Sequence, residues 1–193
     1  MEKELIKIIS GQMSLSKEME KILEDVIVIR SYKKGTILLK EGERANEQFI
    51  VFKGCIRSYV FVDGEEKTLD FYLEGQPVNP VNYGNNKPST HYLDCIEDTV
   101  VCVNSAQLEK EASLKYPQLA SVCHVKNIVS EKLLSEHQAS FVDYRAKTAE
   151  ERYLKLTKER PELIQRVPQY LLASYLGIRA ETLSRLRKRI VAK

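Results

Sequence analysis

The spacing of the hydrophobic positions changes along the chain and separates a β-rich part from helical parts. Residues 2–29 carry apolar side chains at helical spacing, which predicts a short helical opening. Six of the eight glycines then recur between residues 35 and 84 at intervals of 7 to 12 residues, which is typical of turns between short strands. The apolar runs that favour strands are Thr36–Leu39, Gln48–Phe52, Ile56–Val62, Lys67–Leu73 and Thr99–Val103.

The dipeptide Asp63-Gly64 separates two of these runs and is a strong signal for a two-residue hairpin. Short antiparallel strands joined in this way favour a sandwich or a jelly roll. We therefore expect an all-β unit between the helical opening and the middle of the chain.

After Asn104 the pattern becomes helical and stays so. Four apolar residues approximate an a/d seam on a helix of roughly 25 residues: Leu119, Val122, Val129 and Leu133. Such a helix, with no second partner nearby in sequence, often packs against its twin in a homodimer; packing against the chain's own β unit is the alternative. Residues 143–160 predict another helix, and Pro161 and Pro168 interrupt the pattern after it.

Residues 167–190, VPQYLLASYLGIRAETLSRLRKRI, predict two short helices, about Gln169–Tyr175 and Ala180–Ile190, joined by a tight turn. Ala173 allows close helix approach, and Gly177 allows the positive φ of a sharp turn. The apolar contacts of two crossing helices would come from Leu172, Ala173, Leu176, Ile178, Leu183 and Leu186. This is the layout of a helix-turn-helix, whose second helix enters the major groove of DNA. A buried helical hairpin without DNA contacts is the alternative.

Charge is distributed unevenly between the two parts of the chain. Residues 1–142 contain 17 Lys and Arg against 21 Asp and Glu, whereas residues 143–193 contain 13 against 6. A basic end behind an acidic body is expected of a protein that binds nucleic acid. A solvated, salt-bridged helical end is the alternative.

The predicted second helix offers side chains that suit base edges and phosphates. Glu181 can accept a hydrogen bond from a cytosine amino group, and Arg185, one turn later, suits a guanine edge. The remaining predicted contacts are hydrogen bonds or charge contacts to the DNA backbone, from Gln169, Tyr170, Arg179, Thr182, Ser184, Arg187 and Lys188.

The chain resembles the Crp/Fnr family of bacterial transcription regulators. The resemblance covers KKGTILLKEGE (33–43), QFIVFKGCIRSYVFVDGEEKTLDFY (48–72) and residues 167–190, where Glu181-Thr182-x-x-Arg185 matches the base-reading motif. AEERYLKL (149–156), which runs into VPQYLLASYLGI, resembles the short members found in Bacteroidetes. Ala180 replaces an Arg that often precedes the motif, and only Val191–Lys193 follow where the family often adds a wing.

The resemblance implies an α+β protein of three parts. These are a double-stranded β-helix (jelly roll) sensor over residues 1–115, a dimerisation helix over 116–142 and a helix-turn-helix domain over 143–193. The implied partners are double-stranded DNA with a two-fold operator and a second copy of the chain. RNA polymerase and an unidentified small-molecule effector are further candidate partners.

The segment Leu73–Tyr92 departs from the family's cyclic-nucleotide site, which pairs Gly-Glu with Arg followed by Ser or Thr. No Arg occurs between Arg57 and Arg145, so this segment lacks the bidentate clamp for a cyclic phosphate. Cyclic AMP and cyclic GMP are therefore disfavoured, and no cofactor is predicted. The polar candidates for a different effector are Asn79, Lys87, Ser89, Thr90 and His91; ordinary loop residues are the alternative.

Enzymatic, secreted and membrane functions find no support in the sequence. A cupin-like enzyme would need clustered histidines, but only His91 lies in the β region, so neither a catalytic nor a metal site is predicted. The N-terminus lacks a secretory signal pattern, and no apolar run approaches the roughly 18 residues of a membrane span. The four cysteines, 55, 95, 102 and 123, form no close pair and suit a reduced, cytoplasmic protein. A small-ligand sensor that acts through protein contacts, with weak or no DNA binding, remains the second alternative.

Overall fold

The computed structural model describes residues 16–119 and 147–191. The strands and two of the helices lie in the first range, and the other helices lie in the second. The strands are β1 Val28–Tyr32, β2 Ile37–Leu39, β3 Glu47–Lys53, β4 Ile56–Val62, β5 Glu65–Tyr72, β6 Pro77–Val78, β7 Tyr92–Cys95 and β8 Thr99–Ser105. The helices are α1 Lys17–Val26, α2 Ala106–Lys115, α3 Ala149–Glu159, α4 Pro161–Arg166, α5 Gln169–Tyr175 and α6 Ala180–Val191, with a 3₁₀ turn at Pro117–Leu119.

The strands form two four-stranded sheets with the orders β1–β8–β3–β6 and β2–β7–β4–β5. In the first sheet β3 and β8 pair antiparallel, with Phe49 opposite Val103 and Val51 opposite Val101. Alternation along each strand sends these four side chains to one face. The chain therefore has the predicted α+β class, with a β-rich, jelly-roll-like part ahead of several helices.

Apolar side chains from both sheets form one core. Its buried members are Leu39, Ala45, Phe49, Val51, Ile56, Val78, Leu93, Cys95, Val101 and Val103. Cys55 and Cys95 are fully buried thiols, and burial raises the pKa of Cys95 to about 11. These two cysteines thus act as small apolar side chains, whereas Cys102 is half-buried and Cys123 lies outside the described residues.

The hairpin of β4 and β5 follows the local sequence signal. Asp63 and Gly64 both adopt positive φ, 52° and 79°, as a type I′ turn requires. β4 has the predicted bounds, and β5 begins at Glu65, two residues before the predicted run. We call β4 and β5 together the hairpin.

The prediction of a helical opening through residue 29 was wrong at its end. α1 stops at Val26, and β1 begins at Val28 and pairs with β8 along its whole length. The β-branched Val28 and Ile29 favour a strand, and pairing with β8 satisfies their backbone groups. α1 itself begins after Ser16, whose hydroxyl accepts a hydrogen bond from the Met19 N–H.

The first helix after residue 147 begins at a local capping signal. Thr148 and Glu151 form a reciprocal capping box at α3, inside the helix predicted over 143–160. Pro161 predicts a break in the helical pattern, but α4 begins at this residue, because Pro suits the first turn of a helix. Apart from residues 116–119, the predicted dimerisation helix lies outside the described residues.

Contacts between residues divide the chain into two compact units. The described part of the first contains residues 16–56 and 72–119, and that of the second contains residues 57–71 and 147–191. Most of the hairpin therefore packs with the C-terminal helices. Within the described ranges, no helix has the length and apolar character needed to cross a membrane.

Candidate nucleic-acid interface and effector site

The C-terminal helix pair, α5 and α6, has a tight turn built on Gly177. Gly177 adopts φ of 65°, and its N–H donates to the Ser174 carbonyl at 3.0 Å. The next N–H, of Ile178, donates to the Ala173 carbonyl at 3.0 Å. These bonds satisfy carbonyls at the end of α5 while the glycine reverses the chain, so the turn is fixed by its own backbone.

Buried apolar side chains hold the helix pair together. Five of the six predicted contacts are buried, namely Leu172, Ala173, Leu176, Leu183 and Leu186, and Ile178 is half-buried. Leu163 of α4 and Leu171 of α5 are also buried, although the sequence analysis did not single them out. These buried side chains form the apolar base of the helix pair, and their burial determines which side of α6 faces outward.

The outward side of α6 carries an exposed stripe, which we define as Glu181, Thr182, Arg185 and Lys188. Glu181, Arg185 and Lys188 are spaced by four and three residues, so they share one helix face. Ser184 and Arg187, predicted as backbone contacts, are half-buried beside this stripe.

The other predicted DNA contacts lie at the start of α5 and in the turn. Pro168 precedes α5 in an extended conformation, and Gln169 and Tyr170 are both exposed in the first turn of the helix. Arg179 is exposed immediately before α6, and its carbonyl accepts a hydrogen bond from the Leu183 N–H at 3.1 Å. All three side chains are accessible from solvent.

Two arginines that the sequence analysis missed connect the helix pair to α3. The guanidinium of Arg152 donates to the Leu176 carbonyl at the end of α5, and to the Lys147 carbonyl, both at 2.9 Å. Arg189 forms an ion pair with Glu150 at the start of α3. No periodicity could have revealed them, because their partners lie 24 and 39 residues away.

One of the five effector candidates borders a small pocket in the described part of the chain. Asn79 borders a pocket of about 60 Å³, lined also by Gln48, Phe49, Ile50, Pro77, Cys102 and Asn104. None of the other four candidates lines it. Small-molecule sites usually measure about 300–1,000 Å³, so this pocket is too small for a nucleotide.

The Ser89 side chain is hydrogen-bonded to the backbone of His91. The Ser89 hydroxyl donates to the His91 carbonyl at 2.8 Å and accepts from the His91 N–H at 3.1 Å, and Ser89 is only 2% exposed. The Thr90 hydroxyl lies 3.0 Å from His91 Nδ1, and burial lowers the pKa of His91. Lys87 is exposed. The Ser89 side chain therefore stabilises the backbone of this loop at His91.

Across residues 16–119 and 147–191, no three His, Cys, Asp or Glu side chains are grouped to hold a metal ion.

Residues 29–110 match the family model of the cyclic nucleotide-binding domain. No curated protein sequence matches the chain. The family match covers the strands and the loop that contains the effector candidates, and it ends within α2.

Solved structures share the fold over most of the chain. CLP of Xanthomonas campestris, described as a c-di-GMP responsive global regulator, aligns with a TM-score of 0.70, 16% identity and 92% coverage of each chain. FixK2 of Bradyrhizobium japonicum aligns with a TM-score of 0.65, 21% identity and coverage of 86% of this chain and 85% of its own.

A CooA variant of Carboxydothermus hydrogenoformans aligns with a TM-score of 0.65 and 17% identity, over 95% of this chain and 84% of its own. At these identities the likeness establishes the fold. Residues 29–110 thus match the cyclic nucleotide-binding domain, and the chain shares its fold with transcription regulators of the Crp/Fnr type.

Proposed function

We propose that the chain is a sequence-specific DNA-binding transcription regulator of the Crp/Fnr type, acting as a homodimer on a two-fold operator. The observation that carries the proposal is the exposed stripe of α6, held outward by the buried base of the helix pair. The shared fold with transcription regulators supports the same function.

The chemistry of the stripe matches the edges of the major groove. Arg185 presents a planar fork that can bond both acceptors of guanine, and Glu181 can accept from the cytosine amino group. A good bidentate contact of this kind discriminates against the wrong base by about 1–3 kcal/mol. Lys188 and Arg179 would supply charge to phosphates, which raises affinity for any DNA sequence.

The sensor domain of this proposal lacks the usual clamp for a cyclic phosphate. The segment Leu73–Tyr92 contains no Arg, and its single cation, Lys87, supplies a point charge rather than a fork. The Ser89 hydroxyl is bonded to the backbone of His91. We therefore propose that the effector is a small molecule other than cyclic AMP or cyclic GMP.

The cysteines of the described residues are thiols, which is consistent with a reducing compartment. Cys55, Cys95 and Cys102 are all reduced thiols, and two of them are fully buried. Disulfides are rare in the cytosol and common outside it. A cytoplasmic location is accordingly part of the proposal.

The test is binding of the full chain to duplex DNA from the region upstream of its own gene, measured over a range of salt concentrations. Arg185→Ala combined with Lys188→Ala should weaken binding by about tenfold or more, because a base contact and a phosphate contact are both lost. The matched control, Lys34→Ala with Lys40→Ala, removes two exposed cations from the β-rich part and should bind as wild type does.

Equal and weak binding by the wild type and the stripe variant would contradict the proposal. Equal losses in the stripe variant and the control would assign the binding to net charge rather than to α6.

A further inference from the structure

The guanidinium of Arg152 joins the start of α3 to the end of α5. One terminal nitrogen donates to the Lys147 carbonyl, just before α3, and the other donates to the Leu176 carbonyl, just after α5, both at 2.9 Å. The planar fork of an arginine holds two acceptors in a fixed relative position, and its charge is favourable at the C-terminal end of a helix. Gly177 follows Leu176 directly, so Arg152 fixes the position of the turn from outside.

The end of α6 is attached to the same turn of α3. Arg189 forms an ion pair with Glu150, which lies two residues before Arg152. The acidic partner is near the N-terminal end of α3 and the basic partner is near the C-terminal end of α6, where the helix dipoles favour each charge. Glu150 and Arg152 thus bond to the helix pair at two separate places, and we call these two residues the α3 brace.

The two attachment points of the α3 brace lie far apart along α6. Leu176 precedes the helix, whereas Arg189 comes nine residues after its first residue, Ala180, and so lies about 14 Å along the axis. The apolar base of the helix pair is non-directional, so by itself it resists a small pivot of α6 only weakly. Polar contacts at both ends oppose such a pivot, because hydrogen bonds weaken steeply when they are stretched or misaligned. The α3 brace therefore fixes the angle of α6 as well as its position.

Base recognition by Arg185 depends on this angle. Arg185 lies five residues after Ala180, so a pivot of about 10° at the turn would displace its backbone by about 1.3 Å. A bidentate contact to guanine needs two donor–acceptor distances of roughly 2.7–3.2 Å at once, and a displacement of that size would break at least one of them. A phosphate contact from Lys188 would survive, because an ammonium group acts as a point charge.

We propose that the α3 brace is a positioning element for base recognition: it fixes the angle of α6, and with it the ability of Arg185 to discriminate a G·C pair. The inference rests on the proposed DNA-binding function and identifies residues away from the exposed stripe that determine its specificity. Glu150 and Arg152 act through α6 rather than on DNA. Their loss should therefore reduce discrimination between sequences and leave the general affinity for DNA unchanged.

The test compares two duplexes for each full-chain variant. The first is a duplex that the wild type selects from a random pool, and the second carries A·T in place of the G·C pair whose preference Arg185→Ala abolishes. The measured quantity is the ratio of the two affinities, which does not change when a variant is only partly folded, because both affinities then fall equally. Glu150→Gln and Arg152→Lys should each lower this ratio by about 3- to 10-fold, the equivalent of one net hydrogen bond.

Glu150→Gln also separates positioning from charge. The substitution removes a negative charge, so electrostatics alone would raise the affinity for both duplexes and leave their ratio unchanged. Arg189→Lys retains both charges of the ion pair and should retain the wild-type ratio.

Ser174→Ala is the matched control within the helix pair. The Ser174 hydroxyl accepts from the Thr68 N–H at 2.9 Å and donates to the Glu66 carbonyl at 3.0 Å, so it bonds α5 to the hairpin rather than to α3. Its loss removes two hydrogen bonds from α5 and should leave the ratio unchanged.

The possible results distinguish the positioning role from the proposed function. An unchanged ratio in both Glu150→Gln and Arg152→Lys, or an equal fall in Ser174→Ala, would overturn the positioning role and leave the proposed function intact. If the wild type selects no duplex, or if Arg185→Ala abolishes no preference, the proposed function fails, and the positioning role fails with it.

Discussion

Gly54 shows how one backbone position fixes the corner between β3 and β4. It adopts φ of 100°, and a Cβ there would lie 2.6 Å from the Thr99 hydroxyl oxygen and 2.7 Å from the Asp98 carbonyl oxygen. Gly35 also has positive φ, 82°, but a Cβ at that position would meet nothing within 4 Å. A comparison of the two glycines therefore distinguishes the cost of backbone strain from the cost of steric contact.

Replacing each glycine by alanine should therefore have unequal costs. Gly35→Ala should lower the free energy of unfolding by about 1–2 kcal/mol, the cost of a left-handed conformation in a residue with a Cβ. Gly54→Ala should cost about 1–3 kcal/mol more, because tightly packed atoms must move. Urea unfolding measures both values, and equal losses would show that the close approach at Gly54 is relieved without cost.

Exposure along α6 was predictable from residue spacing, but bonding partners were not. Leu183 and Leu186 at helical spacing predict which side is buried, and hence that Arg185 faces outward. The roles of Ser174 and Arg152 depend on backbone groups from distant segments, Thr68 and Leu176. Such partners leave no pattern in a local window.

At the scale of elements, the strongest local signals gave the most accurate bounds. Asp63-Gly64 marked the hairpin, and Gly177 marked the turn between α5 and α6. β6 and β7 were missed because strands of two and four residues carry too little alternation to detect. They form through pairing with β3 and β2, a tertiary effect.

The loop between β6 and β7 carries the prediction about the effector. With no arginine in Leu73–Tyr92, cyclic AMP and cyclic GMP have no fork to bind their phosphate. A thermal unfolding assay with each nucleotide at 1 mM, a concentration we take as about 100 times an ordinary Kd, should show no rise in Tm. True binding under that condition would stabilise the fold by about 2.7 kcal/mol. A clear rise with either nucleotide would contradict the proposed loss of the clamp.

At the scale of the whole molecule, the basic part of the sequence belongs to one of the two compact units. The basic residues after position 143 include Arg185 and Lys188 of the exposed stripe, and Arg179, and all three belong to the second compact unit. A two-fold operator would then double the contribution of each weak contact through dimer formation.

The most direct measurement is selection of binding sites from a random pool of duplex DNA by the full-length wild-type chain and by Arg185→Ala. The wild type should enrich an inverted repeat whose half-sites are about 10 base pairs apart, each with a fixed G·C pair. Arg185→Ala should keep the spacing but lose the preference at that pair. If the wild type enriches no sequence, the claim that α6 reads DNA is wrong.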